Sequence, residues 1–360
     1  MRNRLLFVFS LLLTMSTSGQ AQTAALDSLV QAYADQYNLP SLVLGLSING
    51  ERTFVGVGES NGAAPDLHTI YEIGSITKVV TALALADAVG RGEVTLDTPV
   101  RGLLPEGAMV AQHESGPILL RHLTTHTSGL PRIPMEMTLT EDFDMADPYA
   151  RYDTDALYQT LSTPRAEAAP DARVAYSNLA VGLLGHALAH QAGTTYADLV
   201  ATRILGPLGM MDTFVEIPDG LDVRFATPHD AAGDPTPPWT LLDATAGAGA
   251  LRSTASDLLT LGEAALDSSS VLADAFALSM VPRADAGSGQ EVGLGWFLQS
   301  VPGQEDQTLI FHSGGTGGSR STLAVIPESG IVVSALTNRS VAAGVDGLLI
   351  SVLMQLAAQG

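Results

Sequence analysis

Cysteine is absent from the 360 residues, and lysine occurs once, as Lys78, in a chain with 17 Lys plus Arg. Without cysteine there is no disulfide to staple the fold and no thiol to carry a lipid at a processed N-terminus, so stability rests on the core. Basic charge is scarce as well: 38 acidic residues against 17 basic ones leave a formal net charge of −21. A surface of that sign repels nucleic acid and anionic lipid and argues against both as partners; its plain meaning is solubility, as in a salty habitat. The apolar run Leu5 to Leu13 is too short to span a bilayer.

That run follows Arg2 and Arg4 and precedes a small polar stretch with Gly19 and Ala21, the layout of a secretory signal peptide over residues 1–21. It has no polar face, which disfavours an amphipathic first helix. Cleavage leaves 15 basic and 38 acidic residues, a net charge of −23. The expectation is a periplasmic or secreted protein with no membrane insertion after cleavage. A content of 46% hydrophobic and 15% charged residues is that of a packed globular chain.

After the leader, Ala24 to Tyr37 has helical spacing. SLVLGLSINGERTFVGVGES reads as two alternating strands around Asn49-Gly50, a hairpin that the helix can cover. From Ile76 to about Leu266, Ala/Leu-rich helices alternate with Pro- and Gly-containing loops. Strands return as GLGWFLQS, QTLIFHSG, SRSTLAVIP and GIVVSALTN, and Val341 to Ala358 reads as a closing helix. The pattern is α+β: one antiparallel sheet assembled from both ends of the chain (22–80 and 290–360) and flanked by terminal helices, with a mostly helical domain (81–289) inserted.

Three short stretches carry chemistry. In YEIGSITKVV, Ser75 opens a helix, where free N–H groups and the positive dipole end favour developing negative charge, and Lys78 stands one turn away on the same face. A serine hydroxyl needs a base within reach, and a desolvated lysine can serve where arginine, always protonated, cannot. In RVAYSNLAVGLLGHAL, Tyr176 can shuttle a proton and Asn178 can hydrogen-bond the lysine or the substrate. In IFHSGGTGGSR, His312-Ser313-Gly314-Gly315 ends a strand whose glycines would let a substrate lie against the backbone.

The order and spacing of these pieces resemble the serine β-lactamase and penicillin-binding-protein clan, in its branch of class C β-lactamases, DD-peptidases and esterases. Ser75-Ile76-Thr77-Lys78 matches S-x-x-K, Tyr176-Ser177-Asn178 matches Y-x-N, and His312-Ser313-Gly314 takes the place of K-T-G. RGEVTLDTPV, LLRHLTTHTSGLP, ILGPLGMMDT and GAGALRSTASDL look like the same family, over roughly residues 24–358. The resemblance implies a β-lactamase/transpeptidase-like fold with the site in the cleft between sheet and helical domain. It implies acylation of Ser75, acid and base roles shared by Lys78 and Tyr176 in an order left open, and an oxyanion hole from the N–H groups of Ser75 and Gly315. Asn178, His312, Ser313 and Gly314 would orient a small ester, amide or peptide substrate. No metal or organic cofactor is implied.

Other readings compete. Gly58-Glu59-Ser60-Asn61-Gly62 fits the G-x-S-x-G elbow of an α/β-hydrolase with Ser60 as nucleophile, but GAAPDLHT follows in place of a helix. His186 and His190, one turn apart, lack the glutamate of H-E-x-x-H, and His126 reads as a loop-fixing residue. A penicillin-binding sensor that acylates without turnover is the alternative of another class. Histidine at 312 offers a substrate carboxylate no permanent cation, and the direction of Arg320 on the next strand is open. Esters and D-amino-acid amides or peptides therefore stand ahead of β-lactams, with a class C-like β-lactamase as the alternative.

Overall fold

The computed structural model describes residues 23–110, 113–134, 137–138, 143–163 and 167–358; the expected leader, 1–21, lies outside them. Residues 23–37 form α1, followed by β1 (Ser41–Ile48) and β2 (Glu51–Gly58). Asn49 and Gly50 turn the hairpin at φ 53° and 85°, the positive values that a two-residue turn of this kind requires.

β3 (Tyr71–Glu72) and a 3-10 turn (Gly74–Ile76) lead into α2 (Thr77–Gly90). The helical region continues with α3 (Leu120–Thr124), α4 (Thr154–Ser162), α5 (Asn178–Ala192), α6 (Tyr196–Val200), α7 (Gly206–Leu208) and α8 (Ala246–Gly249). β4 (Arg252–Ser253) then pairs with β3, and α9 (Ala255–Leu266) and α10 (Ala273–Ser279) follow. The chain returns to strand with β5 (Ala284–Gly287), β6 (Gln290–Val292), β7 (Phe297–Val301), β8 (Gln304–Gly315), β9 (Arg320–Ile326) and β10 (Ile331–Thr337). It closes with α11 (Asp346–Ala357).

One sheet runs β2-β1-β10-β9-β8-β7-β6-β5, antiparallel throughout, with β1 from the start of the chain hydrogen-bonded to β10 from its end. Strand alternation sorts its side chains. Leu42, Leu44, Leu46, Ala324 and Val333 share a core with Leu26 and Val30 of α1 and Leu348 and Val352 of α11. Val43, Leu323, Val325 and Val332 face the opposite way, into the core that contains Leu258 and Leu261 of α9. With both faces covered, inner strands read as nearly continuous apolar runs.

The sheet also takes in the hairpin β5–β6, whose first strand lies ahead of residue 290; ADAG and QEV are too short and polar to announce strands. α9 packs on β1, β9 and β10 although its sequence continues the helical region. α2 is buried at every residue from Thr77 to Ala86, the polar Thr77, Lys78 and Thr81 included, so it runs through the middle of the helical core.

Candidate active site

Ser75 lies in the 3-10 turn ahead of α2, and Lys78 in the first turn of α2. Lys78 is fully buried; its Nζ lies 3.0 Å from Ser75 Oγ and donates to Ala248 O at 2.6 Å. Among the described residues no carboxylate is in ion-pair range of it. Burial, helped by the charge of Arg132, drives the Lys78 pKa well below 10.5. A neutral amine with one N–H on Ala248 can turn its lone pair toward the serine hydroxyl.

Tyr176 ends the loop before α5. Ser177 caps that helix, its Oγ accepting Ala180 N–H at 3.0 Å and donating to Pro131 O at 2.7 Å, which fixes the residue before it. Burial pushes the Tyr176 phenol up to about 12, against the opposing pull of its hydrogen bond to Ser75 and of Arg132. His126, at φ 59°, holds this loop: its carbonyl accepts Ala175 N–H at 2.8 Å, its Nδ1 accepts Ser177 N–H at 3.2 Å, and its ring lies 4.3 Å from that of Tyr176.

The end of β8 forms the opposite wall. β7 begins at Phe297, opposite Phe311, so residues 312–315 extend past it. Thr316 N–H bonds Ser319 O, and the alternation of an antiparallel ladder then turns Gly315 N–H away from β9, toward the side of Ser75. A methyl group on Gly74, which is held at φ 48°, would stand 2.6 Å from Gly315 N, and one on Gly314 would stand 1.9 Å from Ile73 O. Only glycine lets strand and turn meet so closely. Gly314 therefore serves this packing while also lining the cleft.

Three of the expected site residues have polar partners within the chain. His312 is buried, with Nδ1 2.7 Å from Ser313 O, and its pKa is pushed down to about 3 by burial and by Lys78. The ring is neutral with its N–H on that carbonyl, so Nε2, without a partner among the described residues, is an acceptor and offers no donor. Ser313 Oγ donates to Asp346 Oδ1 at 2.6 Å and keeps its lone pairs as acceptors at the cleft wall. Asn178 Nδ2 donates to Tyr149 Oη at 2.9 Å, its buried Oδ1 has no partner among the described residues, and Lys78 Nζ donates to Ala248 O.

Ser75, Tyr176, His312, Ser313, Gly314 and Gly315 line one cleft of about 540 Å³; Asn178 stands behind it. Arg320 also reaches the cleft, but its guanidinium bonds the carbonyls of Thr316, Ser319 and Val341. Residues that no short pattern announces complete the lining, among them Trp239, Asp346 and Arg132. Arg132 lies with Cζ 4.9 Å from the Tyr176 ring centroid and pairs with no acid among the described residues. It directly follows LLRHLTTHTSGLP, the one signal that could have pointed to it.

Ser60 is elsewhere, in a tight turn where its N–H and C=O pair with Ala63, and no helix follows. His186 Nε2 lies 2.7 Å from Tyr158 Oη, and His190 Nδ1 lies 2.8 Å from Leu103 O, so each ring has its own partner.

The family model described as Beta-lactamase matches residues 26–354. The chain belongs to the beta-lactamase family. It is 30% identical over 334 residues to the D-alanyl-D-alanine-carboxypeptidase/endopeptidase AmpH of Escherichia coli, covering 87% of this chain and 84% of that protein. Esterase EstB of Burkholderia gladioli is 30% identical over 235 residues, 61% of this chain and 58% of that one. A beta-lactamase from Sulfitobacter sp. EE-36 superposes with a TM-score of 0.80 at 24% identity, over 95% of this chain and 99% of that one. Family membership makes the chain a serine hydrolase with a β-lactamase/transpeptidase-like fold.

Proposed function

We propose that the chain is an exported hydrolase that works through an acyl-enzyme on Ser75 and takes esters or D-amino-acid-type amides and peptides in preference to β-lactams. Lys78, neutral in its buried site, takes the proton of Ser75 as the hydroxyl attacks the carbonyl. The N–H groups of Ser75 and Gly315 hold the resulting oxyanion. Tyr176, whose phenol keeps its proton, relays one to the departing group and recovers it when water attacks the acyl-enzyme. The pKa directions favour this order of base and acid.

The preference rests on one observation: a buried neutral His312 stands where a fixed ammonium would meet a substrate carboxylate. Asp346, bonded to Ser313, adds negative charge at the same end of the cleft. The names of AmpH and EstB are consistent with peptides and esters as substrates. A second reading, a carboxylate-bearing peptide or β-lactam, is favoured by Arg132, a cation over Tyr176 that pairs with no acid among the described residues.

The test is a panel of p-nitrophenyl butyrate, a D-alanyl-D-alanine peptide, nitrocefin and a fluorescent penicillin, with mass spectrometry of the labelled peptide. The proposal expects label on Ser75 and turnover of ester or peptide far above nitrocefin. Efficient nitrocefin hydrolysis reverses the preference, and a label that never turns over identifies a sensor.

A further inference from the structure

We propose that Glu72 is a positioning residue for the oxyanion donors, its carboxylate tying the segment that enters Ser75 to the turn that follows Gly315. The inference rests on the reading of those two N–H groups given above. Glu72 is 3% exposed and lies three residues before Ser75, while Thr316 is the residue after Gly315. Oε2 accepts Thr316 Oγ1–H at 2.8 Å and Ser319 Oγ–H at 3.4 Å, and Oε1 accepts Trp239 N–H at 2.8 Å.

The Thr316 hydroxyl fixes the direction of this link. It accepts Ser319 N–H at 3.1 Å and Gly318 N–H at 3.3 Å, so both lone pairs are in use and its proton goes to the carboxylate. Trp239 is held from both sides, its N–H by Glu72 and its carbonyl by Arg252 Nη2 at 2.8 Å. Both carboxylate oxygens must therefore accept. Glutamine has one acceptor and one NH₂, so whichever way its amide turns, a donor meets either Thr316 O–H or Trp239 N–H. Such a clash costs a buried hydrogen bond and shifts the turn on which Gly315 depends.

A carboxylate that merely supported the fold would, when replaced, lower stability and leave the turnover of the folded fraction alone. One that holds the oxyanion donors in register acts on kcat, because those bonds tighten in the transition state. The experiment compares Glu72→Gln, Thr316→Val, their double variant and Thr316→Ser with the wild type. It reads kcat and KM for p-nitrophenyl butyrate, the rate of Ser75 labelling by an alkyl fluorophosphonate, and Tm.

Glu72→Gln should lower kcat and labelling roughly 10- to 100-fold with KM within about twofold. Thr316→Val should act in the same direction, the double variant should be no slower than the slower single one, and Thr316→Ser should keep at least about half the rate. Should Glu72→Gln not fold, the Thr316 pair decides. Unchanged kcat in folded Glu72→Gln and Thr316→Val, a loss confined to KM, or losses that multiply in the double variant would overturn the inference alone. A wild type that the phosphonate does not label on Ser75 would overturn the hydrolase reading and this one with it.

Discussion

Lys78 Nζ donates to the carbonyl of Ala248 at 2.6 Å while standing 3.0 Å from Ser75 Oγ. Ala248 belongs to α8, a short helix that also takes the Thr81 hydroxyl on Gly247 O, so the GAGALR segment acts as a lysine holder. Lys78→Arg should be nearly as damaging as Lys78→Ala. The guanidinium keeps the charge but cannot accept a proton. Each should cut kcat on the order of 10⁴-fold, the scale seen when one member of a nucleophile–base unit is removed. A Lys78→Arg enzyme of near-normal kcat in a p-nitrophenyl ester assay would show that the amine acts only through its charge.

Ser75→Ala should abolish both hydrolysis and penicillin or phosphonate labelling, and Ser60→Ala should change neither, since the latter serine is paired in a tight turn outside the cleft. Peptide mass spectrometry locates the label.

The pH profile follows from two opposite shifts. Lys78 is active without its proton, so kcat/KM should climb with pH through its lowered pKa, on the acid side of 10.5. Tyr176 is active with its proton and sits at about 12, so no alkaline fall should come from the phenol over the usual assay range. A profile that rises only near the ordinary lysine value would contradict the buried neutral amine.

His312 makes the fold acid-sensitive. Its folded pKa of about 3 lies below the ordinary 6.5, so between these values the unfolded chain binds a proton that the folded one refuses. Stability falls as pH drops from 6.5 toward 3, and this group adds nothing further below that. His126, also lowered by burial, works in the same sense. His312→Asn should flatten the dependence of Tm on pH in that window, read by thermal denaturation in a series of buffers; an unchanged slope would place the acid sensitivity elsewhere.

His312→Lys should shift the ratio of nitrocefin to p-nitrophenyl butyrate turnover toward nitrocefin by roughly tenfold or more, because a fixed ammonium helps only a substrate with an anion to meet it. Equal changes in both kcat/KM values would remove His312 as the determinant.

What could be read ahead of the structure follows from the range of the forces involved. Ser75 and Lys78 are neighbours by helical spacing, so a ten-residue window contains their geometry. The antiparallel sheet and the hairpin at Asn49-Gly50 were likewise written in alternation and turn chemistry. Arg132, Glu72, Trp239 and Asp346 reach the cleft or its supports through contacts between segments far apart in the chain, and no local period marks them. Asn178 and Ser313 match a local pattern, but the partners of Asn178 Nδ2 and Ser313 Oγ, Tyr149 and Asp346, are distant in sequence and no pattern marks them. The β5–β6 hairpin was missed because its residues carry little strand preference of their own and are recruited by β7.

The first strand of the sheet pairs with its last, Leu42 against Thr337, and the joint is locked where Ser41 N–H and Oγ–H both reach Asn338 Oδ1, at 3.0 and 2.9 Å. During synthesis the opening hairpin therefore waits for nearly three hundred further residues before its inner edge is covered. A ribosome-bound fragment ending anywhere before β10 holds an unfinished sheet, and the two apolar faces that flank it cannot be sealed. The molecule is thus built to stay open until its final strand is released, and removing as little as β10 and α11 should leave no smaller folded remnant of the sheet.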